Sequence, residues 1–314
     1  MPSLNRSPHV RYAGQIARHG MSTVLAVDFG GTKTAAALVD ENGKISHKTR
    51  VPAARSLRES VTQVGERYGA VDAIGVIVPG IYNARTGLAW APNLWGWDEV
   101  PLRDALAAAV SAPVVIDSDR AGYVLGEQWL GVARHCRDVV FVAIGTGIGA
   151  GIIADGRLVR GARGIAGAVG WLALDPRWRE AYAQMGCWEA EAAGPSMARQ
   201  ADAATAELVV EAARDGDPRA AQVLDRVTDY LAMGAANLIS TLNPEMVVLG
   251  GGLMQAGSVL LDMICRKVPR WAQPIAARDT QIRLTSLGED AGLLGAARLA
   301  FLDQGIHPGE IHVG

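Results

Sequence analysis

The stretch Val24–Ile45, VLAVDFGGTKTAAALVDENGKI, decides the fold. An apolar run ends in a Gly-Gly-Thr turn, a second apolar run follows, and Asn42-Gly43 then gives a strong β-hairpin signal. This order predicts two or three consecutive antiparallel strands. The stretch VVFVAIGTGIGAGIIADGRLVRG, from Val139, repeats the design, with its hairpin turn at Asp155-Gly156. The chain therefore uses one supersecondary unit twice.

The rest of the chain supplies the strands and helices that turn these units into α/β domains. Apolar runs and breakers predict buried strands at Val71–Val78, Pro113–Ile116 and Met246–Leu249, and helices at Ser56–Gly65, Leu102–Val110, Ala121–Leu130 and from about Glu189 to about Leu242, with breaks at Gly194-Pro195 and Gly216–Pro218. Two such units predict two α/β domains with a cleft between them. We expect a smaller domain of residues 23–117 and 290–314, a larger domain of residues 118–289, and a disordered extension at residues 1–22.

Composition excludes several classes of function. The 314 residues are 49% hydrophobic and 20% charged, which suits a two-domain globular protein with a large core. A net charge of −2 and a pI near 6.3 give no electrostatic footprint for nucleic acid or an anionic membrane. The apolar runs are too short to span a bilayer, and the first 20 residues lack a secretory signal. Cys136, Cys187 and Cys265 are too far apart for a disulfide framework or a CxxC metal site, so we expect a cytoplasmic protein.

Both glycine turns have the composition of a phosphate-binding turn. The stretch Asp28-Phe29-Gly30-Gly31-Thr32-Lys33 offers backbone N–H groups, a hydroxyl and an ammonium, and Gly145-Thr146-Gly147-Ile148-Gly149 offers a second set of N–H groups. Either turn alone could be a simple hairpin turn. Two of them, each between buried strands, can face each other across a cleft and hold a polyphosphate from both sides. Neither is a Walker P-loop, because the GxxxxGK[ST] spacing is absent, and neither is a dinucleotide fingerprint, because a strand follows each turn.

A third glycine run and two aspartates complete the candidate site. Gly250-Gly251-Gly252 follows a strand and could let a base or ribose approach the backbone, or could be a helix-packing turn. Phosphoryl transfer needs a carboxylate that takes the proton of the acceptor. Asp119, after the strand Val114–Ile116, is placed to be this base, although Asp117 competes for the role and Asp119 could merely cap the next helix. Asp28 could hold a magnesium-bound water.

Over nearly all of Val24–Leu299 the chain resembles the ROK kinases (repressor, open reading frame, kinase) of the sugar kinase and actin superfamily. The motifs follow the order of the family: VDFGGTKT resembles the first phosphate motif, PGIYNARTGLAWAPNLWGW the sugar-facing loop, and DSDRAGYVLGE the catalytic segment. AIGTGIGAGIIADGRLVRGARGIAGAVG then resembles the second phosphate motif, NPEMVVLGGGL the adenosine region, and GEDAGLLGAA the final helix. The resemblance implies a two-domain, actin-like (ribonuclease H-like) α/β fold and a kinase that uses ATP with Mg²⁺ to phosphorylate a sugar-like acceptor.

The resemblance also implies roles for individual residues. Asp119 is the implied catalytic base, and Asn93 and Glu189 are the implied acceptor contacts. The residues implied around ATP are Gly30, Gly31, Thr32, Lys33, Gly145, Thr146, Gly147, Gly250 and Gly251, with Asp28 close to the Mg²⁺. A homodimer is implied by the resemblance alone, and we expect neither nucleic acid nor a membrane as a partner.

Three departures from the pattern of the family concern the acceptor. Ala168 and Trp171 stand where the family usually has the Glu and His of a Glu-x-Gly-His segment, the usual cysteine cluster is reduced to Cys187, and Ser118 replaces the Asn before the catalytic Asp. One thiol without a nearby histidine has too few ligands for a structural zinc. Fewer polar groups disfavour plain glucose, because each hydrogen bond to a substrate hydroxyl discriminates strongly. We expect the acceptor to meet Ser118 and a flatter, less polar wall formed by Trp171 with Trp90, Trp95 and Trp97.

These departures suggest a modified acceptor that is phosphorylated on a primary hydroxyl. The candidates are a C7-cyclitol, or an amino- or deoxy-sugar of a biosynthetic pathway such as that of an antibiotic. An ordinary, glucokinase-like hexose kinase is the alternative. Two rivals from other classes are a DNA-binding repressor of the same family and a non-catalytic sugar sensor. The residues before Val24 are too few for a helix-turn-helix module, and an inactive protein would have no physical need of Asp119 and two phosphate turns.

Overall fold

The structure is a computed structural model that describes residues 22–65, 71–256 and 258–306. The predicted extension therefore lies outside the described residues as far as residue 21, and so does the predicted smaller domain beyond residue 306. Ser22, which the prediction included in the disordered extension, is buried. That end of the predicted extension is wrong by one residue.

The described residues form the following regular elements. The strands are β1 (Thr23–Phe29), β2 (Lys33–Asp40), β3 (Ile45–Pro52), β4 (Ile74–Val78), β5 (Ile81–Asn83), β6 (Leu88–Trp90), β7 (Val114–Ser118), β8 (Val139–Ile144), β9 (Ile148–Ala154), β10 (Arg157–Leu158), β11 (Met246–Gly250) and β12 (Gln281–Leu284). The helices are α1 (Leu57–Gly65), α2 (Pro92–Trp95), α3 (Leu102–Ala109), α4 (Asp119–Leu130), α5 (Tyr182–Met185), α6 (Cys187–Ala192), α7 (Gly194–Ala201), α8 (Ala206–Arg214), α9 (Pro218–Leu242), α10 (Ser258–Lys267), α11 (Pro274–Asp279) and α12 (Ala291–Asp303).

Two five-stranded sheets share one strand order. The first sheet runs β3-β2-β1-β4-β7, with β1, β2 and β3 antiparallel and β4 and β7 parallel to β1. The second runs β10-β9-β8-β11-β12 and repeats the same directions. The predicted repeat of the hairpin unit is confirmed, and each unit continues into two parallel strands.

Both faces of the first sheet are covered by helices. Leu25, Val27 and Phe29 of β1 pack with residues of α1 and α3 in one apolar cluster. Val24 and Ala26 point to the other face and pack with residues of α12. Side chains alternate between the faces of a strand, so Asp28 belongs to the α12 face. The returning helix α12 thus completes the core of the first sheet.

Helices α4 and α12 cross at very short range. A side chain on Gly126 of α4 would lie 2.7 Å from the carbonyl oxygen of Ala291, and one on Gly295 of α12 would overlap the carbonyl of Gly122. Because glycine has no Cβ, the two backbones approach each other directly. Helix α4 leads the chain from β7 to β8, and α12 brings it back after β12.

The largest helical segment matches its prediction closely. The region expected from Glu189 to Leu242 consists of α6, α7, α8 and α9. The two expected breaks fall at the starts of α7 and α9, and a further break, which was not predicted, separates α7 from α8 at residues 202–205. Helix α4 begins at Asp119, two residues before the predicted start, because the hydroxyl of Ser118 accepts a hydrogen bond from the N–H of Ala121 at 3.3 Å. Among the helices that the structure describes, none is long and apolar enough to cross a membrane.

Candidate active site

The candidate site lies where the parallel strands end. In the first sheet β1, β4 and β7 end at Phe29, Val78 and Ser118, and parallel strands bring such ends to one edge. Helix α4 starts at this edge and packs on β9 of the second sheet, where Gly151 leaves room for the backbone of Arg120. The Arg120 guanidinium donates to the carbonyl of Gly80 at 3.0 Å and holds the start of α4 against the end of β4.

Asp119 occupies the first turn of α4. Ser118 is the N-cap residue, so the alternative that Asp119 merely caps the helix is wrong. The Oδ1 atom of Asp119 accepts the N–H of Arg120 at 2.7 Å, and the residue as a whole is half-buried. Burial raises its pKa to about 6, against the opposing charge of Arg120. A carboxylate with such a pKa is a competent proton acceptor near neutral pH.

Asp117, the competitor of Asp119, is engaged elsewhere. Its Oδ2 atom accepts from Nε of Arg160 at 2.6 Å, and its Oδ1 atom accepts the N–H of Ser118 at 2.8 Å. The side chain is buried. Asp117 therefore ties the loop after β10 to the end of β7, which favours Asp119 as the base.

Asp28 lies opposite Asp119 with an unused oxygen. Its Oδ2 atom fills the space beside Gly292 at the start of α12, and its Oδ1 atom is buried without a hydrogen-bond partner among the described residues. Burial, and after it the charge of Asp119, raise the pKa of Asp28 to about 7, while the charge of Lys33 opposes both effects. A buried carboxylate oxygen without a donor suits a water bound to a cation, as expected from the sequence for Mg²⁺ carried by a nucleotide.

Tyr123 of α4 lies close enough to both aspartates to interact with their charges, and the sequence analysis did not predict it. Burial and the charges of Asp28 and Asp119 raise its pKa well above the usual value, so the phenol stays protonated. Its ring packs 5.5 Å from that of Phe141. The only available signal was its spacing of four residues from Asp119, which places both on one face of α4.

The first glycine turn connects β1 to β2 and carries charge. The N–H of Gly30 donates to the carbonyl of Lys33 at 2.9 Å, which closes the turn around Gly31 and Thr32. Lys33 is exposed, and its ammonium binds Glu289 at 3.0 Å. Glu289 also binds Arg50 of β3. The predicted phosphate contact of Lys33 is thus matched by a competing carboxylate from the segment before α12.

The Cβ atom of Asn93 lies beside the first glycine turn. A side chain built on Gly31 would lie 3.9 Å from the Cβ atom of Asn93. Asn93 sits in the short helix α2 and is exposed. Its carbonyl oxygen accepts from Arg55 at 3.4 Å. The structure therefore brings the predicted acceptor contact close to the first turn, together with an arginine that the sequence analysis did not name.

The second glycine turn connects β8 to β9 and is enclosed by backbone. The N–H of Gly145 donates to the carbonyl of Gly147 at 2.9 Å, which leaves Thr146 at the tip, and the N–H of Gly194 donates to Gly145 at 2.8 Å. A side chain on Gly251 would lie 2.5 Å from the carbonyl oxygen of Ile144. The third glycine run, from Gly250 onwards, therefore packs directly against the second turn.

Glu189 of α6 touches the second turn. Its Oε2 atom accepts the N–H of Ile148 at 2.7 Å, and side chains on Gly147 or Gly170 would collide with this carboxylate. Burial raises the pKa of Glu189, while the hydrogen bond from Ile148 opposes the rise. The structure places Glu189 next to the predicted nucleotide turn, with its Oε2 atom as the acceptor of that hydrogen bond.

The predicted tryptophan wall is partly wrong. Trp95 packs edge-on against Phe29 at 5.8 Å and donates to the hydroxyl of Ser60 at 3.0 Å, so it belongs to the core of the first sheet. Trp171 is 57% exposed and free to meet a ligand. Trp90 packs on Trp97 at 5.8 Å and donates to its carbonyl at 3.0 Å. Trp95 was misassigned because the short helix α2 turns it inward, which no local periodicity reveals.

Within residues 22–65, 71–256 and 258–306, no three or more His, Cys, Asp or Glu side chains come together in a group that could hold a metal ion. The thiol of Cys187 accepts the N–H of Leu174 at 3.4 Å and is buried. Cys187 therefore acts as a packing residue at the start of α6.

Comparison with known proteins identifies relatives along the whole described chain. Residues 24–302 match the ROK family. The glucokinase of Thermotoga maritima is 31% identical over 306 residues, which are 88% of this chain and 96% of that protein. The N-acetyl-D-glucosamine kinase of Escherichia fergusonii is 28% identical and covers 88% of this chain and 98% of its own.

A solved structure shows the same architecture. The ROK family glucokinase of Streptomyces griseus, in complex with glucose and AMPPNP, superposes with a TM-score of 0.76 at 30% identity. The match covers 90% of this chain and 100% of that one. The predicted two-domain, actin-like α/β fold is confirmed.

Proposed function

The chain belongs to the ROK family, and we propose that it transfers the γ-phosphoryl group of ATP to a primary hydroxyl of a hexose-like acceptor, with Asp119 as general base. It is a carbohydrate kinase, and ATP with Mg²⁺ is its phosphoryl donor. The observation that supports the role of Asp119 is its position: it is a carboxylate with a pKa of about 6, at the edge where the strands end, and it forms no ion pair with another of the described residues.

The reaction needs one proton transfer and one displacement. The acceptor hydroxyl gives its proton to Asp119, its oxygen bonds to the γ-phosphorus, and the bond from that phosphorus to the bridging oxygen breaks to release ADP. Bound Mg²⁺ would neutralise phosphate charge, and the unpartnered oxygen of Asp28 is suited to hold it through water. Closing of the cleft would exclude water from the reacting groups.

We assign the two turns to the nucleotide phosphates. The N–H groups of the turn Gly30–Lys33 and of the turn Gly145–Gly147 are the donors, with Thr32, Lys33 and Thr146 as polar contacts. Gly250 and Gly251 would lie beside the nucleoside. The domain bounds stay a proposal: residues 23–117 with 290–314, and residues 118–289, which the packing of α12 on the first sheet supports. Homodimerisation and a cytoplasmic location also stay predictions.

For the acceptor we propose a modified hexose or a C7-cyclitol, bound near Asn93, Glu189 and Trp171. The Ser118 hydroxyl accepts from the helix backbone, and Ala168 has no polar side chain, so neither offers what an amide or a carboxylate would. An acceptor with fewer or altered hydroxyls leaves fewer groups unpaired in such a pocket. The alternative is a glucokinase-like preference for glucose, which the similarity of the chain to a glucokinase favours.

An ADP-release assay with ATP and Mg²⁺ tests both levels of the proposal. The acceptor panel contains glucose, mannose, N-acetylglucosamine, N-acetylmannosamine, 3-amino-3-deoxyglucose and a C7-cyclitol. Asp119→Asn should lower kcat by about 10²–10⁴-fold, the usual contribution of a general base. Asp117→Asn is the matched control, since its carboxylate serves Arg160, and it should retain most of the turnover.

Each outcome decides either whether the protein is a kinase with Asp119 as its base or which acceptor it prefers. Release with any acceptor that vanishes in Asp119→Asn but not in Asp117→Asn supports the kinase and its base. A kcat/KM at least tenfold higher for glucose than for every modified acceptor rejects the modified-acceptor proposal and leaves a glucokinase. No release with any acceptor, despite acceptor binding seen as a rise in Tm, favours the non-catalytic sensor.

A further inference from the structure

The chain makes a loop between Trp171 and Cys187 that returns to its own start. Gly186, with a φ of +84°, lies so close to the other end that a side chain there would be 2.6 Å from the Cα atom of Trp171 and would overlap the carbonyl of Gly170. We call residues 172–186 the return loop. Its one regular element is the short helix α5, so side-chain contacts must determine its path.

A buried carboxylate fastens the return loop to the helices behind it. Glu191 of α6 is 3% exposed, and its Oε1 atom accepts from the Tyr182 hydroxyl at 2.5 Å and from Arg179 at 3.0 Å. Its Oε2 atom accepts from Arg226 of α9 at 3.0 Å. A single side chain thus joins the loop, α6 and α9.

A second carboxylate extends this network from within the loop. Asp175 accepts from the hydroxyl of Tyr230 of α9 at 3.1 Å and binds Arg177 at 3.3 Å. Hydrogen bonds from Arg177 lower the pKa of Asp175 to about 2, so it stays charged throughout the working range. Arg179 and Arg226 also lie over the rings of Tyr182 and Tyr230, at 6.0 and 5.9 Å. We call the set of Asp175, Arg179, Tyr182, Glu191, Arg226 and Tyr230 the ionic clamp.

The ionic clamp and the acceptor contact share helix α6. Glu189 and Glu191 are two residues apart, so their side chains leave the helix on nearly opposite sides. Glu189 reaches Ile148 and the second glycine turn, while Glu191 reaches the return loop and α9. Gly170, against which the carboxylate of Glu189 rests, is in turn covered by Gly186 at the end of the loop. Helix α6 is therefore held on both sides, and the return loop covers Gly170, the backbone against which Glu189 rests.

We propose that Glu191 is a positioning residue: through the ionic clamp it fixes the return loop and α6, and thereby holds Glu189 and Trp171 in place for the acceptor. This inference rests on the proposed function, in which Glu189 contacts the acceptor. Burying a carboxylate is costly unless its partners are present, so loss of the charge on Glu191 leaves Arg179 and Arg226 without their common partner. The second ATP turn touches Glu189 but is also held by the backbone hydrogen bonds from Gly145 to Gly147 and from Gly194 to Gly145, so ATP binding should depend on the ionic clamp less than acceptor binding does.

The test compares Glu191→Gln with Lys267→Gln by steady-state kinetics and thermal unfolding of the full chain. Lys267 is the matched control, since its ammonium binds Asp225 and Asp229 of the same helix α9, and neither of these carboxylates belongs to the ionic clamp. Displacing a contact residue by about 1 Å can cost up to about 100-fold, so Glu191→Gln should raise the acceptor KM about ten- to 100-fold and leave the ATP KM within about twofold. Lys267→Gln should lower the Tm without changing the acceptor KM.

Two further variants keep the test decisive if Glu191→Gln folds poorly. Arg226→Gln in the Glu191→Gln background restores a neutral pair and should recover part of the acceptor affinity. Glu189→Gln combined with Glu191→Gln should raise the acceptor KM less than the product of the two single effects, because both act through one contact. Multiplying effects, or equal rises of the acceptor and ATP KM values, would overturn the positioning role. An inactive wild type would instead reject the proposed function. The structural part of the proposal would then be tested by thermal unfolding, in which an unchanged Tm of Glu191→Gln would show that the ionic clamp does not fix the return loop.

Discussion

The two halves of the molecule have the same sheet order but unequal chemistry at the edge where their strands end. In β1 Asp28 stands two residues before the first glycine turn, and in β8 the equivalent position is Ala143. The first turn has Lys33 with its partner Glu289, whereas the second turn is enclosed by the backbone of Gly194 and Gly251. The charged groups thus lie mainly in the first half, and the second half supplies a rigid backbone frame.

This difference teaches how one repeated unit can serve two tasks. A turn that must adapt to a charged ligand needs side chains that can exchange partners, and exposed ion pairs cost little to break. A turn that must keep its shape is better fixed by close backbone contacts, which side chains would disrupt. Each of the following predictions would break or sharpen this contrast.

The largest expected effect concerns the rigidity of the second turn. Gly251 has a φ of +92° and no room for a side chain, so Gly251→Ala should lower the free energy of unfolding by about 2–4 kcal/mol. Gly31→Ala in the first turn meets nothing closer than 3.9 Å and should change it by about 0.5 kcal/mol or less. Urea unfolding without nucleotide measures both. Equal losses in the two variants would mean that the turns are equally constrained.

The next effect concerns the carboxylates of the first half. Asp119 accepts a proton only when ionised, and its folded-state pKa is raised from 3.8 to about 6, so activity should be lost as the pH falls through about 6. Between pH 8 and pH 5, kcat/KM for the acceptor should fall roughly tenfold, which is the loss of the ionised fraction at one pH unit below the pKa. A pH–rate profile measures it, and a flat profile down to pH 5 would exclude Asp119 as the base.

The charge of Asp28 should make stability depend on pH in the opposite direction: activity should fall as the pH falls, whereas stability should fall as the pH rises. The pKa of Asp28 is raised from 3.8 to about 7 on folding, so the group contributes stability below pH 3.8 that is lost as the pH rises through about 7. Asp28→Asn removes this loss and should raise the Tm at pH 8.5 more than at pH 5. Thermal unfolding at the two pH values measures the difference, and an equal shift at both would show that the charge of Asp28 is not destabilising.

The smallest effect concerns the ion pair on the first turn. Glu289→Gln frees Lys33 and Arg50 for the phosphates and should lower the ATP KM about two- to threefold, as expected for an exposed pair. Asp290→Asn is the control, because among the described residues Asp290 pairs with Lys48 and, at 3.9 Å, with Arg50, but not with Lys33. Steady-state kinetics with varied ATP compares the two. A rise of the ATP KM in Glu289→Gln would mean that Glu289 orients Lys33 instead of competing for it.

Local signals in the sequence predicted the features that depend on neighbours along the chain. The turns at Asn42-Gly43 and Asp155-Gly156 set the hairpins, and the structure has both. The strand before Asp119 and the helix after it were predicted within two residues, since an apolar run and a cap define them. The two-domain α/β class followed from the repeat.

Features that depend on distant parts of the chain could not be predicted. Glu191 pairs with Arg226, which lies 35 residues later in the chain, and Asp175 accepts a hydrogen bond from Tyr230, which lies 55 residues later. Tyr123 comes close enough to Asp28 to feel its charge only because α4 packs against α12, which comes much later in the chain. Trp95 was placed in the acceptor wall, although a turn of four residues directs it into the core. In each case the packing of elements far apart in sequence decides which groups meet.

The crossing of α4 and α12 has a mechanical consequence. The chain passes between the halves twice, through α4 and through the segment before α12, and Glu127 of α4 binds the hydroxyl of Thr285 and the N–H of Leu287 in that segment. Both passages are therefore joined along one line. We expect the two sheets to turn relative to each other mainly about this line, so that a single angle would describe how the cleft opens. Points far from such an axis move in proportion to their distance from it, so a small rotation at these helices would produce a larger change in the gap between the two glycine turns.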